Sequence, residues 1–202
     1  MLAVAFFLAL LIYLLLSFFI AKWASRLARR FGWRGWSLGI PAFVVMLGLV
    51  FWDWIPMEVT YRYYCNNKAG FTQYKTIEQW REENPDAWEV LVQNDGIPRE
   101  IGAKNDYYYT LNQRFLLSVS KERKNFHVLE ERQVVLDALL DEALVEFTTY
   151  RTDFSSLGEG TKKISDYKFW MYKRSCANYD EKVRDQWGEF NKYVWSIKDA
   201  GK

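Results

Sequence analysis

Apolar residues crowd the front of this chain and thin out sharply behind it. From Leu2 to Ala21 there are 20 consecutive positions without a charge, and only Tyr13 and Ser17 are polar. A second uncharged run, Gly35 to Trp52, covers 18 residues and is bounded by Arg34 and Asp53. A helix of roughly 20 apolar residues crosses the ~30 Å hydrocarbon layer of a bilayer. The two runs therefore predict transmembrane spans over about 2–21 and 35–52, joined by a loop over 22–34. Pro41 lies near the start of the second run, where proline disturbs a helix least. A cleaved signal peptide would carry its basic residues ahead of the apolar core, whereas here they follow it.

Behind Met57 the pattern becomes that of a water-soluble domain, and the chain divides into a transmembrane hairpin, 1–57, and a domain, 58–202. Glu58 to Gly70 reads as a continuation of the second helix. Thr76 with Gln79 has the spacing of a capping box, which opens a short helix that Pro85 stops. Pro85 and Asp86 then open another helical turn reaching Val92. Asn94, Asp95, Gly96 and Pro98 read as a loop, and Gly102 to Asp106 as a turn-prone stretch.

Alternation of apolar and polar residues predicts strand in Arg114 to Lys124, after the run Tyr107, Tyr108, Tyr109. Phe126 to Tyr150 is ambiguous, since 134–144 has helical composition while its flanks look like strands. Two antiparallel strands joined near Leu139 to Glu142 are the chosen reading. Ser155 to Thr161 reads as a loop, Tyr167 to Tyr172 as a last strand and Tyr179 to Ile197 as an amphipathic helix. The fold class is α+β: a two-helix transmembrane hairpin followed by an extracytoplasmic domain, a small antiparallel sheet with flanking helices.

Charge fixes the expected orientation. The connector carries five cations, Lys22, Arg26, Arg29, Arg30 and Arg34, against Asp53 alone in the first 57 residues, so this part is +4 and the remainder, with +2 overall, is −2. Short loops rich in Lys and Arg stay in the cytoplasm. Both termini are then expected on the periplasmic side. The same five cations with Leu27, Phe31, Trp33 and Trp36 also have the makings of an amphipathic element on anionic headgroups, but a topology-setting turn is the simpler reading. Five of ten tryptophans, Trp23, Trp33, Trp36, Trp52 and Trp54, fall at the ends of the runs, where indoles favour the membrane interface. Gly35 and Gly39 form a small-xxx-small pair that permits close helix packing. A slightly acidic domain offers no basic footprint for phosphates, which argues against nucleic acid as a partner.

Two cysteines, Cys65 and Cys176, both lie in the part expected outside, and an even pair in an oxidising compartment predicts a disulfide.

The run Tyr64-Cys65, Ala69-Gly70-Phe71, Tyr74-Lys75-Thr76, Glu78-Gln79-Trp80 and Glu83-Asn84-Pro85, with Lys168-Phe169-Trp170 and Ser175-Cys176 downstream, resembles a group of uncharacterised proteobacterial membrane proteins. The resemblance spans most of the domain and implies a bacterial inner-membrane protein with a hairpin before a Gly-containing loop. It brings no activity, and this chain has Asp141-Glu142 where the family's pattern implies a glycine turn.

Chemistry is sparse. His127 is the one histidine; a Ser-His-Asp triad would have to use it, yet no serine stands in a nucleophile-elbow pattern, and one histidine with two bridged cysteines is too few for zinc. No Gly-rich phosphate loop occurs. The carboxylate pairs Glu82-Glu83, Glu130-Glu131 and Asp141-Glu142 are adjacent in sequence, so on a helix or strand they diverge rather than meet on a substrate. Tyr107 to Tyr109, Trp88 and Trp170 are candidates for stacking on sugar or protein, with core packing the blander use. No catalytic residue, cofactor or metal ligand is read. The expectation is a non-enzymatic envelope module in the lipid bilayer, binding a protein or cell-wall component. An envelope hydrolase using carboxylates is the alternative, and a membrane-complex subunit acting through its helices is a third reading.

Overall fold

A computed structural model describes residues 2–92, 98–100, 106–154 and 168–200. They form two compact units, Met1–Val59 with Phe154–Tyr172, and Thr60–Asp153 with Lys173–Lys202.

The first unit is built on α1 (Leu2–Arg30) and α2 (Trp36–Phe51). By length and composition α1 is the one described helix able to cross a membrane by itself. It runs nine residues past the apolar stretch, because Lys, Ala, Ser, Leu and Arg are all compatible with helix. The expected loop over 22–34 is therefore mostly helical, and only the residues after Arg30 turn. The expected second span is interrupted: α2 has 16 residues, and a bend of 62° separates it from α3 (Trp54–Asn67). The pair reaches spanning length only as a broken helix. The expected helical continuation through Glu58 is α3.

Small residues set the approach of α1 and α2. A Cβ built on Gly39 would lie 1.9 Å from Ser25 Oγ and 3.3 Å from the Ala21 carbonyl oxygen, and one on Gly35 would lie 3.2 Å from the Ser25 carbonyl oxygen. The small-xxx-small pair is thus occupied within the chain. Tyr13 adds a tie by donating its hydroxyl to the Met46 carbonyl. We expect Gly39→Ile to separate the helices, seen as a several-fold drop in bridging of a Tyr13→Cys/Met46→Cys pair by a short thiol cross-linker. Gly48→Ile, at a position with open space around it, should leave the yield unchanged.

The second unit is α+β. Its six-stranded antiparallel sheet has the order β1-β6-β5-β4-β3-β2, with β1 Gly70–Gln73, β2 Pro98–Glu100, β3 Tyr107–Thr110, β4 Phe115–Arg123, β5 Val128–Asp137 and β6 Glu142–Thr152. Strands β2 to β6 follow one another as a meander, and β1 adds to the free edge of β6, pairing Gly70 with Thr148 and Gln73 with Val145. The hairpin expected around Leu139 to Glu142 is present as β5 and β6. Asp141 adopts φ +53° in its turn, the left-handed conformation that glycine takes most readily and that a short aspartate tolerates.

The amphipathic helix expected over Tyr179 to Ile197 is α6 (Glu181–Lys198). Asp180 caps it by accepting the amide N–H groups of Lys182 and Val183 at 2.9 and 3.3 Å. Val183, Phe190, Tyr193 and Ile197 are buried at helical spacing. Phe190 and Trp187 pack on Phe147 of β6, and Phe190 also meets Phe71 of β1. Each large apolar side chain buried this way contributes roughly 1.5–3 kcal/mol relative to exposure. The capping box at Thr76 and Gln79 is formed in both directions and opens α4 (Ile77–Glu83). The next turn, α5 (Pro85–Trp88), ends four residues short of the expected Val92.

Cys65, in the last turns of α3, and Cys176, in a short 3-10 turn (Cys176–Asn178), are joined by a disulfide across 111 positions. Tyr64 stacks on Tyr150 at 4.8 Å beside it, and the Tyr61 hydroxyl donates to the Arg174 carbonyl at 2.9 Å.

Two further expectations need correction. The strand expected over Tyr167 to Tyr172 is a 3-10 turn, Phe169–Met171, because its rings find partners on α1 and α2 rather than on a sheet edge. Pro98, expected in a loop, begins β2. The rest of that loop, the turn-prone stretch before Asp106 and the loop at Ser155 to Thr161 lie outside the described residues.

Candidate functional site: an aliphatic tip over a buried polar network

The chain enters the sheet of the second unit beside the disulfide. The opposite end of the sheet is organised by Asp137, the last residue of β5 and fully buried. One carboxylate oxygen, Oδ1, accepts the amide N–H groups of Leu139 and Leu140 at 3.0 and 3.3 Å. The other, Oδ2, accepts Trp80 Nε1–H and Arg114 Nε–H, both at 2.9 Å. Arg114 also donates to Asn84 Oδ1 at 2.8 Å, and its guanidinium lies 4.7 Å from the Trp80 ring centroid. Trp80 in turn packs on Phe115 at 4.8 Å. A side-chain carboxylate that accepts two consecutive amides fixes a tight turn, so the network dictates how the β5–β6 connection leaves the sheet.

What that connection presents is apolar. Leu139 and Leu140 are 76 % and 50 % exposed. Val90 and Val92, which follow α5, are 68 % and 58 % exposed, with Leu91 between them buried. The Val92 amide donates to Gln113 Oε1 at 3.1 Å, and the Ala138 amide to the Arg114 carbonyl at 2.8 Å. Both segments are therefore held against the same Gln113-Arg114 dipeptide, which gathers four large aliphatic side chains at one end of the sheet. Asn112 stiffens this end: it accepts the Arg114 and Phe115 amides and donates to the Ile197 carbonyl at 3.2 Å in the last turn of α6.

An ion-pair cluster lies at the same end of the sheet. Lys75 Nζ bridges Glu83 and Glu142 at 2.8 and 2.7 Å. Hydrogen bonds first to Glu142 and then to Glu83 hold the lysine above its ordinary range.

The carboxylate pairs diverge as their spacing implies. Glu82 and Glu83 are exposed at the end of α4, where Glu83 is taken by Lys75. Glu130 and Glu131 point to opposite sides of β5: Glu130 accepts the Tyr150 hydroxyl at 2.8 Å, and Glu131 accepts Gln133 Nε2 at 3.1 Å. Burial, and then the Glu130 bond, pushes the Tyr150 phenol up. On the same sheet Glu146 is pushed up by burial, but the bidentate Arg132 pair at 2.6 Å and the Tyr74 hydroxyl outweigh this and hold it below the usual glutamate range.

His127 sits in a tight turn between β4 and β5, where it and Phe126 have φ +63° and +52°, and its carbonyl accepts the Asp153 amide at 2.9 Å. Tyr107 and Tyr109 are half-buried with ring centroids 5.5 Å apart, and Lys121 Nζ lies 4.9 Å from the Tyr107 ring. Burial raises both phenols. Trp88 packs beside Trp80 at 6.1 Å, so it belongs to the network under the tip, while Trp170 belongs to the first unit. The five connector cations, Lys22, Arg26, Arg29, Arg30 and Arg34, are all exposed.

Among the described residues no cluster of three His, Cys, Asp or Glu side chains is placed to hold a metal ion. The Asp137–Arg114–Trp80 network escaped sequence reading, since its members are 23 to 57 positions apart. The sole hint was an aspartate interrupting an apolar run at a strand end. Comparison with protein-family models, with curated proteins and with solved structures finds no match to this chain.

Proposed function

We propose that this chain is an integral protein of a bacterial inner membrane, and that its α+β unit is a non-enzymatic interaction module in the periplasm. α1 and α2 cross the bilayer, the cationic connector stays in the cytoplasm, and both termini lie outside. Support for the bilayer comes from α1, whose Leu8, Leu11, Leu15, Phe18 and Phe19 are more than half exposed, a surface that water would penalise and lipid would not. Trp23, Trp33, Trp36, Trp52 and Trp54 are exposed as well, as interfacial anchors are. The orientation rests on the connector cations, and a disulfide is at home in an oxidising compartment. The resemblance to proteobacterial membrane proteins points the same way.

The observation that carries the interaction reading is the aliphatic tip. Exposed apolar side chains beside charge are what a protein-binding surface offers, and this end of the sheet carries exposed Leu139, Leu140, Val90 and Val92 together with the Lys75 pairs to Glu83 and Glu142. The hydrolase alternative draws less support, because four of the six candidate carboxylates are engaged: Glu83 and Glu142 by Lys75, Glu130 by the Tyr150 hydroxyl and Glu131 by Gln133.

A photo-reactive benzoyl-phenylalanine placed at Leu139 of the full-length protein tests both halves. In intact cells it should give a discrete higher-mass adduct that the same probe at Phe126, at the other end of the sheet, does not give. Protease added to spheroplasts should destroy that adduct. Equal adducts from both positions, or none from Leu139, would overturn the interaction surface; an adduct protected until the cells are opened would overturn the orientation.

A further inference from the structure

The segment Lys168-Phe169-Trp170-Met171-Tyr172 lies more than 100 residues downstream of α2, yet it belongs to the first unit with α1 and α2. Three contacts hold it there. The Trp170 ring packs 4.7 Å from that of Phe51, in the last turn of α2, and 6.5 Å from that of Phe6, in the second turn of α1. Met171 is fully buried. Lys168 forms an ion pair with Asp53, the buried acid at the bend after α2.

Phe169, at the start of the turn, points elsewhere. Its ring lies 6.3 Å from that of Phe7, and the two are 44 % and 42 % exposed. Together they extend the apolar exterior of α1, which continues through Leu8 and Leu11. The turn therefore exposes an aromatic ring and carries beside it a cation neutralised by Asp53. This combination suits an element that lies in the headgroup layer, with rings toward the acyl chains and ionic groups toward water.

Resting on the bilayer reading of α1, we infer that the Phe169–Met171 turn is a third membrane contact, a monotopic element seated at the headgroup–acyl boundary of the outer leaflet. Its ligand is the phospholipid surface itself. Phe169 inserts beside Phe7, Trp170 wedges the turn between the ends of α1 and α2, and the Lys168–Asp53 pair marks the depth at which the polar layer begins.

The test is the depth of a spin label in the full-length protein, reconstituted in vesicles of phosphatidylethanolamine and phosphatidylglycerol. Both native cysteines are bonded, so a label on Phe169→Cys is selective. Three reference sites are labelled in parallel: Phe7→Cys beside the turn, Leu11→Cys on the exposed face of α1, and Phe126→Cys in a turn of the sheet. The expected result is that the label at 169 collides preferentially with oxygen and poorly with a water-soluble nickel chelate, as the label at 7 does and the label at 126 does not. A label at 169 as open to the chelate as that at 126, with 11 shielded, overturns the inference and leaves the bilayer reading standing. Labels at both 11 and 169 open to the chelate overturn both. Tyr172→Cys, half-buried directly after the turn and labelled the same way, is the second probe should Phe169→Cys fail to assemble, and a chelate-accessible label there counts against the inference equally.

Discussion

Replacing Cys65 and Cys176 together by alanine should lower the stability of the full-length protein by roughly 3–5 kcal/mol, the largest loss expected of any pair of substitutions here. The bridge closes a loop of 111 positions, and in the chain-entropy view the cost of closing so long a loop in the unfolded chain approaches ~5 kcal/mol. The folded side loses little to offset this, since Cys65 is 6 % exposed and Cys176 not at all, and removing two sulfurs adds a small cavity term of the same sign. Neighbouring contacts keep the junction near its native geometry: the Thr149 hydroxyl bonds Ser175 at 2.8 Å and accepts the Cys176 amide at 3.2 Å. The double variant should therefore still fold, but unfold at markedly lower urea. Urea unfolding of detergent-solubilised protein with and without a thiol reductant is the measurement. Reductant should move the native curve most of the way to that of the variant and leave the variant where it is. A native curve indifferent to reductant would mean that the bridge is absent from the purified protein.

Local chemistry was readable in the sequence, and long-range partnership was not. Thr76 and Gln79 cap a helix through groups three residues apart, so a short window contains the whole interaction. The buried stripe of α6 repeats every three or four residues and announces itself the same way. The β5–β6 hairpin was harder, because Asp141 stands where a glycine would have marked the turn; what decides it is cross-strand pairing from Val128↔Thr152 to Asp137↔Glu142, which no single window holds. Strand β1 is four residues long and exists only because the edge of β6 accepts it. The turn at Phe169 reads as strand in sequence for a related reason: Phe, Trp and Tyr are favoured in strands, and the helices that take up these rings lie at the far end of the chain. Gly35 and Gly39 show the intermediate case. Their spacing announced close packing, but Ser25 as their partner could come only from the structure.

The second large effect is expected at Asp137. Removing one member of a buried ion pair strands the other, and the cost runs to about 3–5 kcal/mol because the remaining charge has lost both its partner and its water. The Arg114 side chain is 14 % exposed and that of Asp137 is 0 % exposed, so Asp137→Ala should fall in that range in urea unfolding. Asp137→Asn keeps the shape and an acceptor for the Leu139 and Leu140 amides, and should lose less, about 1–3 kcal/mol. Arg114→Met in the Asp137→Asn background removes the stranded cation and should recover part of the loss, which makes the pair non-additive in a double-mutant cycle by at least ~1 kcal/mol. Trp80→Phe removes the Nε1 donor to a buried carboxylate and part of a fully buried ring, and should cost about 2–4 kcal/mol. Strict additivity of Arg114→Met and Asp137→Asn would mean that the two charges do not depend on one another. Because Asp137 also sets the turn that projects Leu139 and Leu140, Asp137→Ala should weaken photo-cross-linking from position 139 even under conditions where the domain remains folded. In Trp80→Phe, where the aspartate and both turn amides persist, the adduct should keep its native yield; if it falls as far as in Asp137→Ala, the adduct is following overall stability rather than the shape of the tip.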